Sequence, residues 1–417
     1  MTRGAVPDEA VRAGARAILD DVRRRGDAAV LDASRQFGGG LARGGLVIGR
    51  SDLTAAAADL PADVRRALDQ AITNVRRFAE PQRPASTVTT IARGVEIERR
   101  WTPLRRVGCY VPGGSAPYPS SLVMTVVPAR VAGVEEVVVA SPAGTDGIVD
   151  PVLLGAAGIL DVDALVVAGG AQAIGALAYG LPAAGIGPVD RVVGPGNAWV
   201  TAAKLEVSGL VGIDLPAGPS EGMVIADGTA DPTLVAADLV TQAEHGPDSP
   251  AILVTTDSAL ADAVERAVQE LLPSLDRRAV LEIALRDHGW IVIADSLDGA
   301  IGFANDYAPE HLSVDVADDE AAVARLVNAG SIFVGRWAPE SAGDYATGAN
   351  HVLPTGGLAR SSGPLSVESF GRFSQVQRLD RAGLLSLRET IGALATAEGL
   401  TAHRNAVEAR FRGEKAE

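Results

Sequence analysis

Two polar side chains in the octapeptide TQAEHGPD, residues 241–248, are candidates to hold a metal ion. Pro232 stands where a first helical turn would begin, and the apolar residues after it have helical spacing, so we predict a helix that runs to about His245. Gln242 and His245 are three residues apart and therefore neighbours on its last turn, where the chain turns away. An amide oxygen and an imidazole at an open turn suit a bound ligand. A polar helix end with a solvated histidine is the alternative.

An acid and an imidazole are adjacent in NDYAPEHL, residues 305–312. Pro309 precedes Glu310 and His311, so we predict that the pair lies in an irregular turn. A loop can direct both groups at one substrate atom, which general acid–base catalysis requires. A glutamate and a histidine exposed together at the surface are the alternative.

A further carboxylate and a further histidine lie near the end of the chain. Asp344 stands between glycines in ESAGDYATGANH, residues 340–351, soon after a predicted strand. Gly399 interrupts an apolar helical stripe, and Glu398 and His403 flank that break. Asp344 is a candidate oxygen ligand, although Gly-Asp turns are ordinary.

Four of these side chains would make a plausible metal site if the fold brought them together. Gln242, His245, Asp344 and His403 offer two nitrogen and two oxygen ligands, a set suited to Zn²⁺ and also to Mn²⁺ or Co²⁺. Their spacing is not that of a zinc finger, so it indicates chemistry rather than a structural metal. The sequence pattern alone does not group them.

Length and composition limit the class of protein. The 417 residues suffice for two or more domains, and 47% hydrophobic with 21% charged residues is typical of a globular chain. The net charge of −15 argues against nucleic acid or an anionic membrane as a partner. Cys109 is the single cysteine, and the N-terminus has no apolar core of signal-peptide length, so we expect a cytoplasmic protein. Residues 164–189 are uncharged, but their glycines, prolines and alanines favour a buried strand and turn over a membrane span.

Short β-branched runs alternate with helical stretches along the middle of the chain. Such alternation predicts parallel sheets covered by helices, in two consecutive blocks. We therefore predict an α/β protein with two Rossmann-like parallel-sheet domains and helical N- and C-terminal segments. The predicted strands of the first block are Val107–Val111, Glu136–Ala140, Ala164–Ala168 and Arg191–Val193. Those of the second block are Met223–Ala226, Ala251–Thr255, Trp290–Ala294 and Ser331–Val334.

Three glycine-rich turns follow strands of the first block, at the sheet edge where α/β proteins bind ligands. They span residues 110–114, 169–172 and 194–197. Each combines glycines, which let the backbone approach a ligand, with one hydrogen-bonding side chain: Tyr110, Gln172 or Asn197. The combination suits a nucleotide, but the G-x-G-x-x-G fingerprint is absent, and each turn by itself could be a simple tight turn.

Eight longer motifs resemble the signatures of the histidinol dehydrogenase family. In chain order they are YVPGGSAPYPSS, GGAQAIGALAYG, VGPGNAWVTAAK, DLPAGPSE, TQAEHGPD, YAPEHL, ESAGDYATGANHVLPT and AEGLTAHRNAV. The resemblance covers the chain from about Asp20 to the end. It implies oxidation of L-histidinol through L-histidinal to L-histidine with two NAD⁺ molecules, in a homodimer that holds one zinc ion per subunit.

The resemblance, taken motif by motif, also implies residue roles. Zinc would be held by Gln242, His245, Asp344 and His403. The acid–base pair would be Glu310 and His311. The substrate would contact Ser220, Glu398, His311 and the four zinc ligands. NAD would contact Tyr110, Gln172 and Asn197. Glu398 and His403 would reach into the active site of the partner subunit.

These assignments lead to an expected domain organisation. We expect residues 1–106 and 222–365 to form one α/β domain, which carries the metal and the acid–base pair. Residues 107–221 would form a second α/β domain that binds NAD. Residues 366–417 would form a helical segment that reaches the partner subunit. We also expect an N-terminal arm that is shorter than in many members of the family.

The expected chemistry divides between the adjacent pair. His311 would take the proton of the alcohol, because the unperturbed pKa of an imidazole lies near neutrality. Glu310 would activate the water that adds to the aldehyde before the second hydride leaves, particularly if burial raises its pKa. Zinc would orient the imidazole and amine of the substrate.

Three other functions are compatible with parts of the pattern. A relative within the superfamily could oxidise another polyol, although Glu398 and His403 together favour a substrate with an imidazole. A zinc hydrolase could use Glu310 and His311, and formation of NADH would exclude it. A non-catalytic metal-binding protein would explain neither the glycine-rich turns nor the acid–base pair.

Overall fold

Strands and helices alternate through the computed structural model, which describes residues 7–42, 45–113 and 117–412. The strands are β1 (Val47–Gly49), β2 (Thr87–Ala92), β3 (Val95–Pro103), β4 (Arg106–Tyr110), β5 (Glu136–Ser141), β6 (Ala164–Val167), β7 (Arg191–Val193), β8 (Gly212–Ile213), β9 (Gly222–Ala226), β10 (Ala251–Thr255), β11 (Gly289–Ile293), β12 (His311–Asp315), β13 (Ser331–Val334) and β14 (Gly371–Leu379). The helices are α1 (Glu9–Arg25), α2 (Asp27–Phe37), α3 (Arg50–Ala58), α4 (Ala62–Ala79), α5 (Pro119–Ala132), α6 (Pro151–Ile159), α7 (Gly170–Tyr179), α8 (Ala198–Val207), α9 (Pro232–Ala243), α10 (Ser258–Leu271), α11 (Arg278–His288), α12 (Leu297–Tyr307), α13 (Asp319–Val323), α14 (Glu340–Tyr345), α15 (Arg381–Ala397) and α16 (Thr401–Glu408).

The first sheet has six strands in the order β1-β6-β5-β4-β7-β8. All are parallel except β1, which pairs antiparallel with β6. Successive side chains of β4 point to opposite faces, so that Val107 and Cys109 join one hydrophobic core and Tyr110 joins the other. Because helices cover both faces, the central strands are nearly continuous apolar runs, which explains why the sequence predicts them well.

The second sheet has five parallel strands in the order β11-β10-β9-β12-β13. The strand β12 is not among the predicted ones. The predicted irregular segment is confirmed for Glu310, which precedes the strand, and is wrong for His311. His311 is the first residue of β12, where it lies between Gly222 of β9 and Ser331 of β13. The sequence HLSVD lacks the β-branched run of a buried strand, and its position between two other strands is what makes it extended.

The N-terminal helices cover the first sheet, which differs from the predicted association of residues 1–106 with the second block. Helix α1 packs against α7 and α8, and α3 packs against α6. Leu19 and Val22 of α1 are buried in the core that contains Ile174 of α7. Gly175 permits this close packing, because a Cβ there would lie 3.1–3.2 Å from these two side chains. The other predicted domain boundaries stay predictions.

Residues 83–103 and 371–417 form a compact unit of their own, and the remaining residues, 1–82 and 104–370, form the first unit. The second unit contains an antiparallel sheet in the order β14-β3-β2, followed by α15 and α16. Strand β14 pairs with β3 from Gly371 opposite Pro103 to Leu379 opposite Val95. The predicted helical C-terminal segment therefore begins with a strand whose partner lies far back in the chain.

The described part of the chain contains no helix long and apolar enough to cross a membrane. The uncharged stretch 164–189 instead forms β6, α7 and a short turn of 3₁₀ helix, as predicted.

Candidate active site

Helix α9 places Gln242 and His245 side by side. Pro232 is its first residue, and Asp231 caps it by accepting a hydrogen bond from the backbone N–H of Thr233. Gln242 is buried on the last turn, and His245 follows the helix with its side chain about one-third exposed (34%). Nδ1 of His245 lies 3.2 Å from the backbone oxygen of Gln242. An N–H donated there leaves the Nε2 lone pair free to bind a ligand.

His245 forms a cluster with two carboxylates, Glu340 and Asp344, whose donor atoms all lie within 4.8 Å of one another. Nε2 of His245 is 4.0 Å from Oδ2 of Asp344, and Nδ1 is 3.8 Å from Oε1 of Glu340. One imidazole and two carboxylates are donors that zinc accepts. The structure thus brings together the predicted ligands His245 and Asp344, with Gln242 beside them.

Glu340 is a member of the cluster that the sequence analysis missed. It is buried, and its Oε1 has no hydrogen-bond partner among the described residues. Burial, reinforced by the charges of Asp344 and Glu310, raises the pKa of this carboxyl well above its ordinary value. A buried carboxylate oxygen without a donor fits a bound cation. The signal that could have found Glu340 is its position four residues before Asp344, one turn earlier on α14.

Glu310 precedes β12 and is buried beside Ser220. Its Oε2 accepts hydrogen bonds from the Ser220 hydroxyl (2.7 Å) and from the backbone N–H of Glu221 (3.0 Å). Desolvation by burial outweighs both hydrogen bonds and raises the pKa of Glu310 to about 8. The carboxylate that forms above this pH is a stronger base than an exposed glutamate.

His311 is held as a neutral imidazole with a defined tautomer. Its Nδ1 lies 3.2 Å from Oε1 of Gln242 and can donate there. Burial, with the nearby charges of His245 and His351, lowers the pKa of His311 to about 3. Nε2 is buried and has no hydrogen-bond partner in the described chain, so its lone pair is available to accept a proton.

A hydrogen-bond chain links these groups. The side-chain amide of Gln242 donates from Nε2 to the Ser220 hydroxyl (3.3 Å), which donates to Glu310, while Oε1 of the same amide accepts from His311. Ser220, the predicted substrate contact, therefore lies within the acid–base pair's own network.

His351 is a second residue that the sequence analysis gave no role. Its ring is partly buried, with Nδ1 3.1 Å from the backbone oxygen of Asp344 and Nε2 3.5 Å from the Ser121 hydroxyl. Burial lowers the pKa of His351. The neutral ring can donate from Nδ1 and so fix the backbone that carries Asp344.

Two adjoining cavities surround these residues. One of about 470 Å³ is lined by Ser220, Glu310, His311, His245 and Asp344, among others. Another of about 690 Å³ is lined by the three predicted nucleotide contacts, which are Tyr110, Gln172 and Asn197. Asn197 lines both cavities, so they meet at this residue.

The predicted nucleotide contacts also have structural partners. Asn197 caps α8 by accepting hydrogen bonds from the backbone N–H groups of Trp199 and Val200. The hydroxyl of Tyr110 accepts one from the backbone N–H of Gly170 (3.3 Å). Gly114, at the end of the first predicted turn, lies outside the described residues.

Comparisons with known proteins are consistent across nearly the whole chain. The family model for histidinol dehydrogenase matches residues 1–411. The histidinol dehydrogenase of Halobacterium salinarum is 48% identical over 97% of this chain and 94% of its own length. That of Leifsonia xyli is 46% identical over 99% and 95%. The crystal structure of histidinol dehydrogenase from Elizabethkingia anophelis superposes with a TM-score of 0.92 at 35% identity, covering 99% of this chain and 94% of that one.

The chain belongs to the histidinol dehydrogenase family. Members of this family are oxidoreductases of histidine biosynthesis, and the predicted family and fold class are confirmed. The fold alone is shared more widely, since an acetylating aldehyde dehydrogenase from Geobacillus thermoglucosidasius superposes with a TM-score of 0.50 at 12% identity.

Two residues that the family resemblance implicates lie in the second unit. Glu398 caps the C-terminus of α15, and His403 is on the first turn of α16 after the turn at Gly399. Both side chains are exposed. The cluster around His245 is built entirely from residues of the first unit, and the roles of Glu398 and His403 stay predictions.

Proposed function

We propose that this member of the histidinol dehydrogenase family oxidises L-histidinol through L-histidinal to L-histidine, reducing two NAD⁺ molecules. The observation that carries the proposal is the unpartnered Nε2 of the neutral His311. This residue lines the same cavity as His245 and Asp344, two members of the cluster. A base and a cation site in one cavity suit an alcohol that must be both deprotonated and held in place.

Zinc fits the donor set that the first unit supplies. Gln242, His245 and Asp344 would hold it, together with His403, and the unpartnered oxygen of Glu340 lies beside them. When bound, zinc would coordinate the imidazole and the amine of histidinol and so orient the substrate.

In the first oxidation His311 is the base. The expected reason for this role, an imidazole pKa near neutrality, is wrong here, because burial lowers the pKa of His311 to about 3. Nε2 is therefore a weak base, and its buried, unpartnered lone pair is what supports the role. Gln242 holds the Nδ1 hydrogen, so the Nε2 lone pair is the one that accepts the proton of the alcohol. Tyr110, Gln172 and Asn197 would hold the nucleotide of NAD⁺, which when bound would supply the hydride acceptor.

In the second oxidation Glu310 is the base. The aldehyde has no hydride to give until water has added to it, so a group must remove a proton from that water. Glu310 is buried, which raises its pKa and makes its carboxylate more basic. The hydrogen bond from Ser220 to Oε2 holds this carboxylate in place. Holding the aldehyde in the cavity between the two steps protects a reactive intermediate.

The proposal includes a homodimer with shared active sites and a cytoplasmic location. Support for the shared site comes from Glu398 and His403, whose exposed side chains are free for a partner subunit. The single cysteine, Cys109, is buried and its pKa is raised to about 12 by burial, which is compatible with a reducing compartment.

The deciding experiment supplies L-histidinol and NAD⁺ with zinc and follows NADH and histidine together. Two NADH per histidine are expected.

Chelation should abolish turnover, zinc should restore it, and His245→Ala should lose both bound metal and activity, because a liganding nitrogen is removed. His288→Ala is the matched control, since His288 ends α11 and lines neither cavity. Full activity in a demonstrably metal-free sample would contradict the role of the metal.

A further inference from the structure

Lys204 and Asp214 form an ion pair inside the first unit that the proposed mechanism does not use. Their side chains are only 2% and 3% exposed. Burying two charges carries a desolvation penalty that attraction between them often fails to exceed, so such a pair is weak grounds for stability. The hydrogen bonds of the Lys204–Asp214 pair to the backbone indicate a second role.

The pair holds the first residue of the cofactor turn, residues 194–197. Lys204 donates from Nζ to the backbone oxygen of Gly194 (3.1 Å), and Oδ2 of Asp214 accepts from the backbone N–H of the same residue (2.7 Å). Gly194 has a φ of 111°. A Cβ there would lie 2.1 Å from the backbone oxygen of Tyr110. Both backbone polar groups of this glycine are thus fixed, three residues before Asn197.

The same lysine holds a second segment, residues 215–220, which we call the substrate segment. Nζ of Lys204 donates also to the backbone oxygen of Leu215 (2.9 Å). Thr201, one turn earlier on α8, donates its hydroxyl to the backbone oxygen of Ala217 (2.7 Å). The substrate segment ends at Ser220, which donates to Glu310.

We propose that Lys204, with Asp214 and Thr201, is a positioning group that fixes the separation between the cofactor turn and the substrate segment. The inference rests on the proposed function, because it takes the nucleotide to lie against Asn197 and the substrate against Ser220. None of the three side chains touches a reactant. Both segments line the smaller cavity, but each of these two contacts belongs to one segment, Asn197 for the nucleotide and Ser220 for the substrate. Hydride transfer, in contrast, needs both segments at the correct distance.

This difference defines the expected result. In Lys204→Met/Asp214→Asn both charges are removed together, and the introduced asparagine can still accept from the backbone N–H of Gly194. NAD⁺ and L-histidinol should each bind alone with a dissociation constant within about threefold of wild type, while the single-turnover rate of NADH formation falls about 10²-fold, the usual consequence of a displacement near 1 Å. Lys204→Met alone should also lower Tm, because Asp214 is left buried without its partner.

A near-isosteric variant provides a second, independent measurement that does not disturb the ion pair. Thr201→Val removes only the hydrogen bond to Ala217, and it should slow single-turnover NADH formation by about tenfold with both single-ligand affinities unchanged.

The matched control is Arg130→Met/Asp163→Asn. Arg130 donates to the backbone oxygens of Val134 (3.3 Å) and Glu135 (3.0 Å) and pairs with Asp163 (2.8 Å), which accepts from the backbone N–H of Val137. This pair also combines an ion pair with backbone hydrogen bonds beside the first sheet, and it lines neither cavity. It is less buried, at 23% and 22% exposed, and Asp163 pairs also with Arg50 (2.6 Å). It should change Tm without changing the single-turnover rate.

Two results would overturn the inference. One is a wild-type rate of NADH formation in both Lys204→Met/Asp214→Asn and Thr201→Val. The other is a slower rate of NADH formation in these variants that is explained by a general effect. Such an effect would show as a ratio of rate loss to Tm loss equal to that of the control, or as an equally large loss of affinity for one ligand bound alone. If the wild-type protein forms no NADH from L-histidinol, the proposed function fails instead, and the binding measurements tell the two failures apart.

Discussion

Replacing Glu310 by glutamine should stabilise the protein at alkaline pH and at the same time impair its second oxidation. Glutamine can accept the same two hydrogen bonds, from the Ser220 hydroxyl and from the backbone N–H of Glu221, through its amide oxygen. It cannot ionise and cannot take a proton from water. The substitution therefore keeps the geometry and removes the charge and the base.

The effect on stability follows from the pKa of Glu310, which burial raises from an ordinary 4.5 to about 8. Between these values the folded protein keeps the proton and the unfolded chain has released it. The free energy of unfolding of the wild type therefore falls as pH rises through this interval, by about 1.4 kcal/mol per pH unit and about 5 kcal/mol in all. The free energy of unfolding of Glu310→Gln does not fall in this way. The variant should therefore be no more stable than the wild type below pH 4.5, and the full difference in free energy of unfolding should be reached above pH 8.

The assay compares urea unfolding of the two proteins in the presence of a chelator at several values of pH from about 4 to about 9. This range spans the interval in which the folded and unfolded states differ in bound protons. A chelator is needed because a bound cation would favour the ionised carboxylate. Asp238→Asn is the matched control: burial raises the pKa of Asp238 to about 6, and its side chain lines neither cavity. Asp238→Asn should increase the free energy of unfolding by less than Glu310→Gln does, and the full increase should be reached at a lower pH. This variant should retain activity.

The effect on catalysis is measured with each substrate in turn. Glu310→Gln should slow oxidation of L-histidinal by about 10²–10⁴-fold, the ordinary contribution of a general base, and slow oxidation of L-histidinol less. In the wild type the aldehyde step should rise with pH as Glu310 ionises, with a midpoint below 8 because the bound cation favours the carboxylate. Equal impairment of the two steps, or a stability difference independent of pH, would refute the reasoning.

Three further predictions address the metal, the dimer and the cofactor turn. Glu340→Gln should weaken zinc binding by about tenfold or more in a competition titration, because a buried carboxylate beside the site becomes neutral; unchanged affinity would separate Glu340 from the metal. Mixing the inactive variants His403→Ala and His311→Ala should restore about a quarter of wild-type activity if His403 serves the partner subunit, since half the dimers are mixed and each has one intact site; no recovery after confirmed subunit exchange would mean that His403 serves its own subunit. Gly194→Ala should raise the KM for NAD⁺, because a Cβ at Gly194 would lie 2.1 Å from a backbone oxygen. Gly209→Ala should leave the KM unchanged, because a Cβ there has nothing within 4 Å. Equal effects of the two substitutions on the KM would contradict the importance of the close backbone contact at Gly194.

The sequence predicted the sheets better than the site, and the reason is physical. Strands such as β5 and β10 are buried on both faces and are nearly continuous apolar runs, so each was predicted to within a residue of its observed bounds. Strand β12 was missed because His311 and Ser313 interrupt its apolar pattern. Strands β3 and β14 were missed because much of their surface is exposed and their pairing joins distant parts of the chain.

The rule that ligands bind at the carboxyl ends of parallel strands located only half of the site. Tyr110 and Asn197 do lie at or after the carboxyl ends of β4 and β7 in the first sheet. In the second sheet the acid–base pair lies at the opposite edge: Ser220 precedes β9, and Glu310 and His311 lie at the amino end of β12. Helix α9 follows β9 and returns along the sheet, so its last turn brings Gln242 to this amino edge. No local pattern in the sequence reports such a return, and for that reason the metal ligands could be named individually but not grouped.

Gln242 shows how much of the chemistry one residue can determine. Its backbone oxygen is 3.2 Å from Nδ1 of His245, and its side-chain oxygen is 3.2 Å from Nδ1 of His311. One residue therefore holds the Nδ1 hydrogen of both imidazoles and leaves both Nε2 lone pairs free, one for a metal and one for a proton. The amide reaches this position because Gly222 has no side chain, since a Cβ there would lie 2.6 Å from its oxygen. A glutamate in place of Gln242 would accept the same hydrogen bonds but would add a buried charge and could not donate to Ser220, which is why an amide suits this position.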